Sequence, residues 1–207
     1  MFVVENFIFL FNNLCIMIIT ISGNAGSGKS TVASMLVDKL SAKRIYVGGI
    51  RREMARKMRM DLAEFNKYGE THPETDIDVD NKIRDEARLL DGVGEIVIVE
   101  GRTQYYFLHE SFKVFIKVDP MVGAQRIFLD LKENKDKRNE DNVSTLEQVE
   151  KSIEKRQKSD AKRYKKYYSI DPYNEKNYDL VIDSSKVTPE QVCEKIIESL
   201  KSERLLK

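Results

Sequence analysis

The sequence predicts an α/β/α sandwich built on a five-stranded parallel sheet. Apolar, β-branched runs alternate with amphipathic helical segments along the whole chain. A glycine-rich turn joins the first such run to the first helical segment, and 207 residues suit one domain of this class. Alternating strands and helices imply parallel strands with helices on both faces. No repeat and no linker divides the chain.

The first strand is read at Ile16–Ile21 and the first helix at Thr31–Leu40, where Val32, Met35, Leu36, Val37 and Leu40 fall at helical spacing. Arg44–Val47 reads as a short second strand ending in a turn at Gly48-Gly49, with a helix over Ile50–Met58. Asp61 is the expected N-cap of a helix over Leu62–Tyr68. An acidic loop, Glu70–Asp80, is expected to lead into a helix ending near Leu90. Ile96–Val99 is an unbroken branched-apolar run, as a buried parallel strand requires. Phe112–Val118 is the fourth strand, and Pro120 opens a helix reaching about Leu131. Lys132–Asn142 is densely charged with no apolar face and reads as a mobile loop. Ser144 and Glu147 have capping-box spacing at the start of a long helix to Tyr168. Tyr178–Asp183 is the fifth strand and Pro189–Leu200 a closing amphipathic helix.

Composition narrows the functional classes. A third of the residues are charged, yet the formal net charge is only +1, so no general attraction to nucleic acid or membrane is expected. Cys15 and Cys193 lie far apart, with no metal-ligand or redox spacing, and suit a reducing cytoplasm. Residues 1–16 are aromatic-rich but interrupted by Glu5, Asn6, Asn12 and Asn13, without the basic start of a signal peptide or the length of a membrane span. They read as an extension upstream of the domain at 17–207.

The chemistry begins at Gly23-Asn24-Ala25-Gly26-Ser27-Gly28-Lys29-Ser30, which fits G-x-x-x-x-G-K-[ST] between a strand and a helix. Such a loop turns backbone N–H groups around a polyphosphate at a helix N-terminus, whose dipole favours anions. Lys29 then neutralises the outer phosphates, the Ser30 hydroxyl binds Mg²⁺, and Thr31 follows at the helix start. The motif implies ATP or another nucleoside triphosphate, but switches, motors and kinases share it. Asp91-Gly92-Val93-Gly94 matches a GTPase turn by letters only, because it precedes its strand; Asn134-Lys135-Asp136 lacks the spacing of a guanine reader.

Arginines define the second half. Arg51 and Arg52 follow the second strand, Arg102 follows the third in Glu100-Gly101-Arg102, and Arg156, Asp160 and Arg163 share one helix face. Lys151–Tyr168 holds eight basic and two acidic residues, most of them expected to be solvated. Arginine's planar fork grips two phosphate oxygens at once. One phosphate loop, several arginines and no evident general base suggest phosphoryl transfer between anions, which relies on positioning and charge stabilisation.

With these residues in view, the chain resembles the nucleoside monophosphate kinases, most closely the archaeal-type (short) cytidylate kinases, over about Met17–Lys201. The resemblance rests on the phosphate loop with its strand, Ile50–Ala55, Glu64–Tyr68, Val99–Arg102, Arg163–Asp171 and Asn177–Asp183, in that order. It implies a P-loop NTPase fold with ATP as donor, Mg²⁺, and a monophosphate acceptor, CMP or dCMP. It also implies a cytoplasmic monomer with an acceptor-binding insertion at 49–90 and a lid at 132–143. By the same resemblance Arg52 and Arg102 grip the acceptor phosphate, and Arg156 and Arg163 reach both substrates as catalytic residues beside Lys29. Asp160 helps to read cytosine, Arg126 lies near ATP, and Glu100 holds Mg²⁺ through water alongside Ser30.

The chain departs from the pattern of the family it resembles at Gly49 and Arg51, which replace an acidic and an aromatic residue, and at Thr103-Gln104-Tyr105-Tyr106, more polar and aromatic than that pattern. These positions flank the acceptor, so AMP or UMP remain open as acceptors. Arg51 faces either the acceptor pocket or solvent. A small-metabolite kinase of the shikimate type and a non-catalytic ATP-binding module are the remaining alternatives.

Overall fold

The computed structural model describes residues 17–133 and 144–206. Its sheet comprises β1 (Ile18–Gly23), β2 (Lys43–Tyr46), β3 (Val97–Glu100), β4 (Phe112–Lys117) and β5 (Leu180–Asp183). They are ordered β2-β3-β1-β4-β5 and are parallel at every pairing. The helices are α1 (Lys29–Leu40), α2 (Val47–Lys57), α3 (Leu62–Gly69) and α4 (Glu74–Gly92), then α5 (Gln104–Phe107), α6 (Pro120–Glu133), α7 (Leu146–Tyr168) and α8 (Pro189–Ser202). The expected sandwich is therefore present; Lys132 and Glu133, expected to begin a loop, close α6, and the expected extension 1–16 and the rest of the expected lid, 134–143, lie outside the described residues.

Every residue of β1 is buried, because alternate side chains feed two cores. Ile19 and Ile21 join Ile98, Val114 and Ile116 under α1 and α8, against Leu36, Ile196 and Leu200. Ile18, Val97 and Val99 point the other way, onto Val79, Ile83 and Ala87 of α4. The alternation invisible in an all-apolar run is thus set by pleating. A smaller cluster of Ala124, Ile127, Leu131 and Val149 joins α6 to α7.

The register positions the chemistry. Ile21 pairs with Glu100, and Glu100 with Tyr46, so the carboxyl ends of β1, β3 and β2 are level. β1 has β3 on one side and β4 on the other, so the chain leaves it at a topological switch point, where open α/β sheets bind ligands. The following loop is held backbone to backbone. At Gly23 (φ 146°) a Cβ would lie 2.0 Å from the Ile116 carbonyl oxygen; at Gly26 (φ 75°) it would lie 2.2 Å from that of Gly123. Asn24 N–H donates to the Ile116 carbonyl at 3.2 Å.

Several local expectations change. α2 begins at Val47, so Gly48 and Gly49 lie in its first turn and do not form a separate bend. The Tyr46 ring lies against them: a Cβ on Gly49 would sit 2.8 Å from that ring and one on Gly48 3.0 Å. α4 takes in most of the expected acidic loop, because Asp76 and Asp80 are answered by buried donors. The α7 capping box is Thr145 with Gln148, one residue beyond the expected Ser144 and Glu147; Gln148 N–H donates to Thr145 Oγ1 at 3.2 Å. Asp61 caps α3 as expected, with Glu64 completing its box. Asp91, in the GTPase-like letters, accepts the Met17 N–H at 2.8 Å and ties the end of α4 to the start of β1. No helix among the described residues is long and apolar enough to cross a membrane.

The loop's seat on α6 is testable at Gly123, where an added Cβ would sit 2.7 Å from the Ala25 carbonyl oxygen. Gly123→Val is expected to cost about 1–3 kcal/mol of stability by overpacking and to weaken nucleotide binding. Denaturant unfolding and nucleotide titration check the two effects separately.

Candidate active site

The loop after β1 opens into a cavity of about 1200 Å³. Ala25, Gly26, Gly28, Lys29, Ser30 and Thr31 line one end, while Tyr46, Arg52, Arg102 and Arg156 line the other. Lys29 Nζ donates to the Asn24 carbonyl at 2.6 Å, which lays the ammonium across the mouth of its own loop. Gly23, Asn24 and Ser27 support this rim from behind, and Gly23 and Ser27 are buried.

β3 delivers Glu100 to the same rim. Its carboxylate is buried, accepts the Ser30 hydroxyl at 2.6 Å on Oε1 and receives Arg44 at 2.5 Å on Oε2. Arg44 compensates a charge that burial would otherwise make costly. Arg126 stands behind the loop, within 3.5 Å of the Gly26 carbonyl oxygen and 2.8 Å of that of Ser184. Ser184 Oγ in turn donates to the Ser27 carbonyl at 3.0 Å, seating the end of β5 beneath the loop.

On the opposite wall, Arg52 reaches the Tyr46 hydroxyl at 2.7 Å and the Gly48 carbonyl at 3.1 Å. The two helix glycines let the Tyr46 ring approach closely enough to make this contact. Arg102 Nε donates to the Tyr173 hydroxyl at 3.2 Å and lies 3.0 Å from Asp160 Oδ2 as an ion pair. That carboxylate oxygen lacks an aligned hydrogen bond, since Nε is directed at Tyr173.

Arg163 does not meet its expectation. Its side chain is fully buried and lies outside the cavity lining. One guanidinium nitrogen donates to both Asp76 oxygens at 2.7 and 2.6 Å, the other to Asp160 Oδ1 at 2.5 Å. It lies two turns further along the helix than Arg156, where it meets Asp76 of α4 in place of the open space. In this arrangement Arg163 fastens α7 to α4. Asp160 likewise lies beneath the wall, lining a recess of about 30 Å³ beside Arg102 and Arg156. Burial alone would push the Asp160 carboxyl up; Arg102, Arg163, Arg156 and Arg51 outweigh it and hold it below the ordinary carboxylate range.

Arg51 faces inward. It donates to Asp76 at 2.6 Å, to the Thr75 carbonyl at 3.1 Å and to Asn66 at 3.0 Å, with its guanidinium over the Phe65 ring. Sequence reasoning missed Arg44, Tyr46, Asp76, Asp80 and Tyr173. Asp76 and Asp80 carried a usable signal: they alternate with Val79, Ile83 and Ala87 on one helical face.

A model of the cytidylate kinase-like family matches residues 18–186. The chain belongs to that family. It is 36% identical over 194 residues to a cytidylate kinase of Methanococcus maripaludis (strain C5), covering 90% of this chain and all of the relative. It is 38% identical over 175 residues to a cytidylate kinase of Methanocaldococcus jannaschii, covering 82% and 89%. The fold is shared with a shikimate kinase from Acinetobacter baumannii at a TM-score of 0.59 and 17% identity, covering 92% of this chain and 96% of the other. At that identity the likeness is one of fold alone. The family match covers the phosphate loop, all the arginines discussed and the whole cavity lining.

Arg163→Leu is expected to lower stability by about 3–5 kcal/mol, because Asp76 and Asp160 would keep buried charges without their shared partner. Part of that loss should be recovered as pH falls and the stranded carboxyls take up protons. Urea unfolding across pH checks both statements.

Proposed function

We propose that this chain is an ATP-dependent nucleoside monophosphate kinase that transfers the γ-phosphate of ATP to CMP or dCMP. The observation that carries the reading is one cavity walled by a phosphate loop at one end and by Arg52, Arg102 and Arg156 at the other. Membership of the cytidylate kinase-like family supports it. Two anionic groups must meet there, and each end offers donors for one of them. The basic wall favours this reading over a small-metabolite kinase or a non-catalytic ATP binder, neither of which needs several acceptor-side guanidiniums.

The loop at Gly23–Ser30 and Thr31 takes the donor phosphates, with Arg126 behind it near the nucleotide. Lys29 leaves the Asn24 carbonyl to follow the transferring group and stabilises charge where it develops. Arg52 and Arg102 orient the acceptor phosphate, whose oxygen needs no general base at neutral pH. Arg156, at the same end, adds charge stabilisation. The buried Arg163 acts through Asp160 and Asp76, and Asp160 contributes to the acceptor-base wall. Residues 49–90 form the acceptor-binding insertion and 132–143 the lid. Excluding water from such a site protects ATP from hydrolysis.

Ser30 and Glu100 suit Mg²⁺, since both present hard oxygen atoms, 2.6 Å apart, at the loop's mouth. Ser30 would hold the ion directly and Glu100 through water. When bound, Mg²⁺ would neutralise charge on the donor phosphates. The enzyme is read as a cytoplasmic monomer whose partners are its two nucleotides.

Incubation with ATP, Mg²⁺ and each of CMP, dCMP, UMP, AMP and GMP tests the proposal directly. Diphosphate should form fastest from CMP or dCMP; no product from any acceptor would overturn the kinase reading. Lys29→Ala should lower kcat about 10²-fold or more, as loss of a main electrostatic stabiliser does. Arg52→Ala should raise KM for the monophosphate while leaving ATP affinity near native; an equal loss of both would contradict the division of the cavity.

A further inference from the structure

Asp80 has no part in the chemistry described so far, yet it is buried beside the acceptor wall and bonded to three side chains. Its Oδ1 accepts from Thr103 Oγ1 at 2.9 Å and from Gln104 Nε2 at 2.8 Å. Its Oδ2 accepts from the Tyr168 hydroxyl at 2.7 Å. Thr103 and Gln104 immediately follow Arg102, and Tyr168 ends the helix that carries Arg156 and Asp160.

The turn holding Arg102 is thereby pinned from two sides. On the sheet side, Gly101 N–H donates to the Ile21 carbonyl at 3.1 Å and Ser22 Oγ donates to the Gly101 carbonyl at 2.9 Å. On the α4 side, Gln104 folds back so that its Oε1 accepts the Thr103 N–H at 3.2 Å. That oxygen fills the space of a Gly101 side chain, 1.8 Å from where a Cβ would stand. Thr103 and Gln104 are thus the residues of this turn that answer Asp80.

We propose that Asp80 is a positioning residue for the acceptor phosphate: its carboxylate fixes Thr103 and Gln104, and through them the direction of Arg102. This rests on the reading of Arg102 as an acceptor-phosphate ligand.

The charge state matters because all three partners donate. A carboxylate accepts every one of them; a protonated carboxyl must itself donate, so Tyr168 or Thr103 has to turn its hydroxyl round and accept, which rearranges the set. Burial pushes this carboxyl up to about 6, and the nearby charge of Asp76 adds to it; Tyr168, Thr103 and Arg51 act the other way. The recess it faces also holds Arg102 and Arg156, with Asp160 and Tyr164 from α7. The acceptor site is therefore ordered above about pH 6 and loosens as pH falls below it. The fold responds in the opposite sense: a raised carboxyl binds more protons folded than unfolded, so its contribution to stability grows as pH falls through the same range.

The test compares the native chain with Asp80→Asn, with steady-state kinetics for ATP and CMP across about pH 5–8, CMP titration calorimetry and urea unfolding. Asp80→Asn should raise KM for CMP about tenfold to hundredfold, the scale of a displaced positioning group, and weaken CMP in calorimetry, with ATP KM near native. The share of the acid limb of kcat/KM for CMP that Asp80 contributes should vanish, leaving the limb set by the CMP phosphate, which also titrates near pH 6. Thr103→Val should shift CMP KM in the same direction by less, and Thr103→Ser should restore it; this pair carries the test if Asp80→Asn does not fold. ATP and CMP KM rising together, a native CMP KM, or an acid limb identical in shape and position in the two proteins would each overturn the assignment. If the native chain phosphorylates no monophosphate, the acceptor reading fails and the assignment falls with it. Native turnover without the split overturns the assignment alone.

Discussion

The acceptor side of this molecule depends on one buried guanidinium. Arg163 holds Asp76 on α4 and Asp160 on its own helix, both of them buried carboxylates. Arg51 and Arg102 complete the lattice from α2 and from the turn after β3. Replacing such a lattice with apolar side chains often costs nothing, whereas removing one member is severe. What an ionic lattice adds here is orientation, because each fork fixes the angle of the side chain it meets. Three helices and a strand end are set relative to one another by charge, beside a cavity that needs guanidiniums aimed in particular directions.

The donor side is held by different forces. Gly23 and Gly26 rest on the backbones of Ile116 and Gly123 with no side chain between, so the loop's shape follows from β4 and α6 directly. Ser184 bonds the Ser27 carbonyl from β5. Polar contacts of this kind leave little room for relaxation, which suits a loop whose N–H groups must already point inward. The two sides therefore tolerate change differently: the loop is limited by space, the acceptor wall by charge balance.

Much of this was legible in the amino-acid sequence. All five strands lie close to their expected positions, because branched-apolar runs bounded by turns have few other fates in an alternating chain. The loop, Arg52, Arg102 and Arg156 fall on one cavity as the motifs imply. Arg163 was misplaced because helical spacing gives a shared face but not what that face meets; its partner Asp76 lay in a stretch that looked like a solvated acidic loop. The same blindness hid Asp80. Carboxylates read as surface residues until the donors that bury them are known, and those donors come from segments far away in the chain. Likewise, Ser144 and Thr145 both suit a helix cap by residue type, and the side chain that meets the Gln148 N–H is Thr145.

The short run Glu100-Gly101-Arg102 joins the two halves. Glu100 meets the phosphate loop through Ser30, and Arg102 meets the acceptor wall through Asp160 and Tyr173. Two peptide units separate them, so their Cα atoms can stand no more than about 7 Å apart, whatever the rest of the protein does. The spacing between the donor end and the acceptor end is in this sense a covalent ruler. Breathing of the helices can tilt what hangs from either mark, but it cannot lengthen the scale between them.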